Sequence, residues 1–413
     1  MENRKDTFCI TAFSAILVRA DATVSLCCFN SGSAKNKQGE KVYLYRDSFR
    51  DSFHSDFFQE VRASLKEGRR HPSCETCWRA EDSGFVSKRQ YDNQGFAHLV
   101  EKIKMGSNVE SPVQMNLNLG SLCNLKCRIC GPTSSSRWAA EYIDLYGSDH
   151  VPRENDFIRN LSQEDSRSLL VNWPNQSQEF KETMREWIPA AAILSFLGGE
   201  PFLSTKQFEL TKYAVEVGAA SKQILEFTTN GTIFPEEAMR EVWPHFSKVY
   251  LNVSVDGLYE QFEYQRYGAR WNKVQENIRR YRASKLLHHL EILVSVSVFS
   301  VFDLPRSLEF WQKENLPVGL SFVSNPHRFD VRVLPAPLKR LISEKYSSCD
   351  QGLSDGNRLN LFKVRDFMNS ADLSELWPKT KESIAFHDSY RQEKFAEVFS
   401  EFYKIAKSLG FWT

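Results

Sequence analysis

Val113-Gln114-Met115-Asn116-Leu117-Asn118-Leu119-Gly120 runs almost directly into Cys123-Asn124-Leu125-Lys126-Cys127-Arg128-Ile129-Cys130. The first stretch reads as a β-strand, and Gly120 marks the loop that follows it. Three thiols at i, i+4 and i+7 can wrap one face of a cuboidal iron–sulfur cluster and leave the fourth iron without a protein ligand. An open coordination position is where a small molecule can bind. A zinc site would want a fourth protein ligand close by, and none follows in the next several residues. Three coincidental thiols are the bland alternative, but thiols in a strand-end loop bring reactivity and little packing.

Beyond this stretch, strand-like and helix-like segments alternate. The candidate strands are 113–119, AILSFL (192–197), ILEFTT (224–229), VYLNVSV (249–255), EILVSVSV (291–298) and VGLSFV (318–323). Helical candidates such as KQFELTKYAVEVG and WNKVQENIRRYRASK lie between them. Parallel neighbours need crossover connections, so the alternation implies a parallel α/β sheet, either doubly wound and open or a partial barrel. Active residues are then expected at the C-terminal ends of the strands. About 60 residues separate Cys130 from the second strand, too many for one crossover. Within them HVPRENDFIRNLSQEDSRSLLVNWPNQSQ reads as an insertion, either a surface excursion or a substrate-gripping lid. Upstream, TFCITAFSAILVRA and ATVSLCCF look β-like, SDFFQEVRASLKEG looks helical, and RRHPSCETCWRAEDSG reads as a loop leading into a helix. The expected division is 1–108, 109–325 and a mostly helical, aromatic-rich 326–413.

Three further motifs fall at successive strand ends: Gly198-Gly199-Glu200-Pro201, Thr229-Asn230-Gly231 and Ser254-Val255-Asp256-Gly257. Read alone, each is only a turn. Glycines also let backbone approach a ligand closely. Together with CNLKCRIC, the set resembles the radical S-adenosylmethionine (SAM) superfamily, over roughly residues 113–325. The resemblance implies a partial (β/α)6 barrel within an α/β fold. It implies a [4Fe–4S] cluster on Cys123, Cys127 and Cys130, with SAM chelating the open iron. It further implies SAM contacts from Ile129, Gly198, Gly199, Glu200, Pro201, Asn230, Ser254 and Asp256. The family usually has an aromatic residue before the third cysteine; here Ile129 stands there, and an aliphatic side chain can still pack on adenine.

Eight of the nine cysteines fall in the first third of the chain. Such clustering in a reducing compartment favours metal ligation over disulfides. Cys74-Glu75-Thr76-Cys77 is a two-ligand hairpin of the kind zinc and iron–sulfur clusters both use. Cys9 and Cys27, on β-like segments, would complete a four-thiolate site. The arrangement is similar to the twitch and SPASM auxiliary-cluster modules of radical SAM enzymes, here placed before the barrel. That implies a second [4Fe–4S] cluster, with structural zinc as the alternative. Strand alternation puts Cys28 on the opposite face from Cys27, as a core thiol. Cys349, on the loop-like SSCDQG, is an isolated thiol. Some radical SAM epimerases return a hydrogen atom from such a thiol, so Cys349 is a candidate catalytic residue.

The 413 residues carry 41% hydrophobic and 25% charged side chains and a net charge of +1. That balance offers no general field for nucleic acid or anionic membrane. No apolar run approaches the roughly 20 residues of a membrane span. The N-terminus lacks a signal peptide's apolar stretch, so a cytoplasmic protein is expected. The functional expectation is hydrogen abstraction from an unactivated C–H of a peptide or protein. Alternatives are a dehydrogenase or epimerase of a small molecule such as a sugar or nucleotide, and a non-catalytic Fe–S binding protein. An external electron donor such as flavodoxin or ferredoxin is implied.

Overall fold

The computed structural model describes residues 6–82, 86–106, 109–138, 141, 142, 144, 171, 173–349 and 352–412. Most of the expected insertion lies outside the described residues. The chain forms two compact units. One comprises Met1–Cys123, Val151–Thr228 and Pro235–Tyr250; the other comprises Asn124–His150, Thr229–Phe234 and Leu251–Thr413.

In the first unit, β1 (Ala15–Val18), β2 (Val24–Ser25), β3 (Gln114–Leu117), β4 (Ile193–Phe196) and β5 (Ile224–Thr229) pair side by side. β1–β2 is antiparallel, whereas β1–β3, β3–β4 and β4–β5 are parallel. The register aligns Ile16, Met115, Leu194 and Leu225 in one row and Val18, Leu117, Phe196 and Phe227 in the next. All eight side chains are buried. Each contributes on the order of 1.5–3 kcal/mol by leaving water. Parallel order follows from the crossovers: helix Thr205–Glu216 carries the chain from β4 back to the start of β5.

β6 (Lys248–Ser254) starts in the first unit's residues and ends in the second's. In the second unit, β7 (His289–Val296) and β8 (Val318–Phe322) pair in parallel through the crossover helix Leu304–Lys313. That helix buries Leu308 and Trp311. The helices Ala336–Ser348, Asp355–Asn369, Trp377–Arg391 and Ser400–Ser408 follow. The six strands expected at 113–323 are all present as β3 to β8. Their mostly parallel, helix-alternating order is that of a barrel-like α/β fold with a helical C-terminal region. No helix among the described residues is long and apolar enough to cross a membrane.

Two local readings need correction. Ile10–Ser14 is helical and only Ala15–Val18 is a strand. Asn93 Oδ1 accepts from Ile10 N at 2.7 Å, and Asp92 accepts the Thr11 hydroxyl at 2.5 Å. These distant partners satisfy the first helical turn of a β-like sequence. Cys28 is exposed and is not a core thiol. β2 ends at Ser25, so strand alternation does not reach residues 27 and 28.

Candidate functional site

The loop after β3 leaves the sheet at Gly120, whose φ of 96° lies in the left-handed region. Against it packs the turn after β4. Glu200 N donates to Leu122 O at 2.8 Å. Gly198 and Gly199 have φ of 80° and 54°. A Cβ on Gly199 would sit 2.4 Å from Leu122 O, and one on Gly198 would sit 2.7 Å from Asn118 Cβ. Both glycines are therefore required by backbone conformation and by close approach to the segment preceding Cys123. Glu200 is buried and caps the turn Pro201–Leu203 by accepting from Phe202 N. A cleft at these strand ends is lined by Leu119, Gly120, Leu122, Gly198, Glu200 and Gln207. Gln207 Nε2 is buried there without a hydrogen-bond partner among the described residues. Nothing in the sequence distinguishes Gln207 from an ordinary helix residue.

Cys123 closes the first unit; Cys127 and Cys130 lie in the second. There the loop 124–130 is held by backbone and side chains together. Lys126 N and Arg128 N donate to Tyr267 O and Gln265 O at 2.9 and 2.8 Å. Trp138 Nε1 donates to Cys127 O at 2.9 Å, and Ser135 Oγ to Leu125 O at 2.5 Å. Asn230, from the turn after β5, donates to Asn124 Oδ1 at 2.9 Å; Asn124 in turn donates to Thr232 Oγ1 at 2.8 Å. The Thr229-Asn230-Gly231 motif thus braces the cysteine loop directly.

Asp256, just beyond β6, is buried and paired with buried Arg266 at 2.9 Å. It also accepts from Ser295 N at 2.8 Å. Arg266 Nη1 approaches Cys127 Sγ at 3.9 Å. The Cys127 thiol is held below its ordinary value, by a hydrogen bond with Cys130 and, against burial, by the Arg266 charge. Ser254 ends β6 and is buried, whereas Ile129 and Cys130 are half-buried.

In the first unit, three chain segments bring the other thiols into one neighbourhood. Cys9 precedes helix Ile10–Ser14, Cys27 follows β2, and Cys74 and Cys77 flank the start of helix Glu75–Asp82. Asn30 ties two of these together, donating to Ser73 Oγ at 2.8 Å and to Cys74 Sγ at 3.7 Å. Arg89 Nη1 donates to Phe8 O at 2.7 Å while Arg89 Nη2 pairs with Glu81 at 2.9 Å, which anchors the Cys9 segment to the Cys77 helix. Burial pushes the Cys9 thiol up to about 12, with Cys74 and Cys77 adding to the rise. Cys27 is raised by burial and by Cys28, Cys9 and Cys77. Cys74 and Cys77 are raised by burial as well. The Cys28 residue is exposed, yet its sulfur is desolvated, and that raises the thiol against the Lys88 charge. Among the described residues no three Cys, His, Asp or Glu side chains converge tightly enough to close on a metal ion. This holds for these four thiols and for Cys123, Cys127 and Cys130 alike. All-thiolate donor sets suit zinc and iron–sulfur clusters alike.

Cys349 caps the end of helix Ala336–Ser348 and is half-buried. Its sulfur lies 4.0 Å from Ser348 Oγ.

The model of the Radical SAM superfamily matches residues 117–298. No curated protein matches the chain at a significant level. Similar solved structures include native anSMEcpe with bound AdoMet and Cp18Cys peptide, at 16% identity and a TM-score of 0.36, covering 62% of this chain and 61% of that one. Streptococcus suis SuiB bound to precursor peptide SuiA is 13% identical with a TM-score of 0.36, covering 81% and 70%. TYW1 with a lysine-pyruvate adduct bound is 14% identical with a TM-score of 0.30, covering 56% and 70%. The chain spans about three fifths of the length of the anSMEcpe structures it matches.

Proposed function

We propose, on the premise that this chain is a radical SAM enzyme with the superfamily's domain over residues 117–298, that it cleaves SAM reductively and uses the 5′-deoxyadenosyl radical to abstract hydrogen from an unactivated C–H bond. Cys123, Cys127 and Cys130 are the residues that would hold a [4Fe–4S] cluster. When bound, such a cluster supplies the electron for the cleavage. Arg266, fixed by Asp256, holds its guanidinium 3.9 Å from Cys127 Sγ. Asn230 and Thr232 fix the loop through Asn124. Ile129, Gly198, Gly199, Glu200, Pro201, Asn230, Ser254 and Asp256 are the proposed SAM-facing positions. For Asp256 that role is combined with holding Arg266.

The observation that carries this reading is the CxxxCxxC loop itself, braced by Asn230 through Asn124 and held by Tyr267, Gln265 and Trp138, within the residues that the superfamily's model matches. The test is anaerobic reconstitution with iron and sulfide, followed by chemical reduction in the presence of SAM. Formation of 5′-deoxyadenosine and methionine is expected; iron-loaded protein that leaves SAM intact would sink the proposal.

Cys9, Cys27, Cys74 and Cys77 form the proposed auxiliary site, read as a second [4Fe–4S] cluster. Such a cluster would supply an electron acceptor, which suits a peptide or protein substrate whose radical is to be oxidised. A small-molecule dehydrogenase or epimerase is the second reading, in which Cys349 would return a hydrogen atom.

A further inference from the structure

The helix Trp377–Arg391 ends in a side chain that the reaction as proposed does not use. Arg391 has no exposed side-chain surface, and its Nε donates to Glu141 Oε1 at 2.8 Å. Its guanidinium lies between two rings, 4.9 Å from the centroid of Trp138 and 4.7 Å from that of Tyr267. Both flanking residues hold the cysteine loop: Trp138 Nε1 donates to Cys127 O, and Tyr267 O accepts from Lys126 N. The second oxygen of Glu141 pairs with Lys126 at 2.5 Å. The cation is thus pinned against the loop at Lys126 and Cys127.

Pinned as it is, the guanidinium leaves most of its donors idle. Arg391 Nη1 and Nη2 are buried and have no hydrogen-bond partner among the described residues. An ion pair with Glu141 would be complete with a side chain that faced its remaining donors to water. Burying them instead is costly unless an acceptor is supplied. Thiolate and sulfide sulfurs at an iron–sulfur site are acceptors of this kind.

We propose that Arg391 is a positioning residue for the cluster on the Cys123–Cys130 loop: its Nη groups donate to the cluster's sulfurs and its charge offsets the added electron. This rests on the reading of that loop as a cluster site, and it makes the C-terminal helix part of the machinery. A cation and N–H donors favour the more negative, reduced form.

The experiment is an EPR-monitored redox titration of the reconstituted full chain, following the signal that disappears in Cys127→Ala. Arg391→Gln should shift the reduction equilibrium toward the oxidised form by about tenfold, which is about 59 mV for a one-electron couple. Arg391→Lys keeps the charge and should recover part of the shift. Glu141→Gln removes an anion beside the cation and should shift the equilibrium the other way. A side chain that only packs would not give opposite signs. Should Arg391→Gln fail to hold iron, the Lys and Glu141→Gln variants carry the test. Iron-loaded variants with the parent's midpoint, or shifts of one sign, overturn the inference while leaving the cluster intact. A parent protein whose iron signal survives Cys127→Ala instead removes the cluster reading itself, and this inference with it.

Discussion

At Cys127 a neighbouring thiol and a guanidinium draw the proton away, whereas at Cys9, Cys27, Cys74 and Cys77 burial holds it on. The two groups use the same side chain and differ in what surrounds it. Around Cys127 the chain places Arg266, Arg391 and the amide-rich bracing of Asn124 and Asn230. Around the N-terminal thiols burial outweighs the hydrogen bonds of Ser73 and Asn30 to Cys74 and the Arg89 and Lys88 charges near Cys77. A metal entering the first group meets a ligand already inclined to ionise. One entering the second must displace protons, so its affinity rises with pH and its binding is coupled to closing the four thiols together. On the proposed assignment, the first group would serve exchange at an open coordination position and the second would be filled once.

Removing the thiols is the severest way to break the contrast. Cys123, Cys127 and Cys130 changed together to Ala should abolish 5′-deoxyadenosine formation and lower the iron load by about four per chain, one cluster's worth. Cys74→Ala with Cys77→Ala should lower the load by the same amount while leaving SAM binding unchanged. Iron and zinc measured on anaerobically purified protein check both. Zinc in place of iron at the N-terminal group would make that module structural.

Next in size is the charge network behind the cysteine loop. Arg128 is fully buried between Cys127 and Cys130 and donates to Asp388 and Glu393 at 2.7 and 2.8 Å. Asp388 also takes the Tyr264 hydroxyl at 2.7 Å and Phe395 N at 2.6 Å. Asp388→Ala strands several of these donors and should cost about 3–5 kcal/mol in urea unfolding. The exposed pair of Arg70 and Asp82 is the control, and breaking it should leave the urea midpoint close to the parent's. Equal losses would mean that the loop does not depend on the C-terminal helices.

Sequence alone shows the strands and the cysteine loop, because both are local signals. Strands β3 to β8 are short apolar runs bounded by turn residues, and thiol spacing is a matter of counting. Arg128 and Asp388 lie 260 residues apart, so their pairing has no local signature. Arg266 and Arg391 read as ordinary surface cations until burial is known. The helical turn Ile10–Ser14 escaped for the same reason, since Asn93 and Asp92 cap it from 80-odd residues away. Gly199 is an intermediate case. Its freedom of φ was legible in the GGEP turn, but the approach to Leu122 O was not.

That approach sets the fourth expectation. Gly199→Ala forces a Cβ onto the backbone that leads to Cys123, at a φ only glycine adopts readily. It should cost about 1–3 kcal/mol. It should also lower iron retention together with SAM affinity, in a titration of reconstituted protein. Lost SAM affinity with full iron and parental stability would mean that the glycine faces SAM alone.

The smallest effect tests the contrast itself, in metal-free protein. Cys9 titrates at about 12 when folded against 9.0 ordinarily. Between those values the unfolded chain has lost a proton that the folded chain keeps, so stability falls as pH rises. The Cys9 contribution is fully present below pH 9 and is lost as pH climbs toward 12. One unit above 9, at pH 10, the loss amounts to about 1.4 kcal/mol. Cys127 has the opposite sign. Its folded value is lowered, so its contribution is present above the unfolded value and disappears as pH falls through the folded one. Urea midpoints of the parent, Cys9→Ala and Cys127→Ala between pH 7 and 10 therefore diverge in opposite directions. Relative to the parent, Cys9→Ala should gain on the alkaline side and Cys127→Ala should lose there. Titrating tyrosines and lysines are common to all three proteins and cancel in the differences. Two difference curves of the same slope would show that the thiol groups are electrostatically alike.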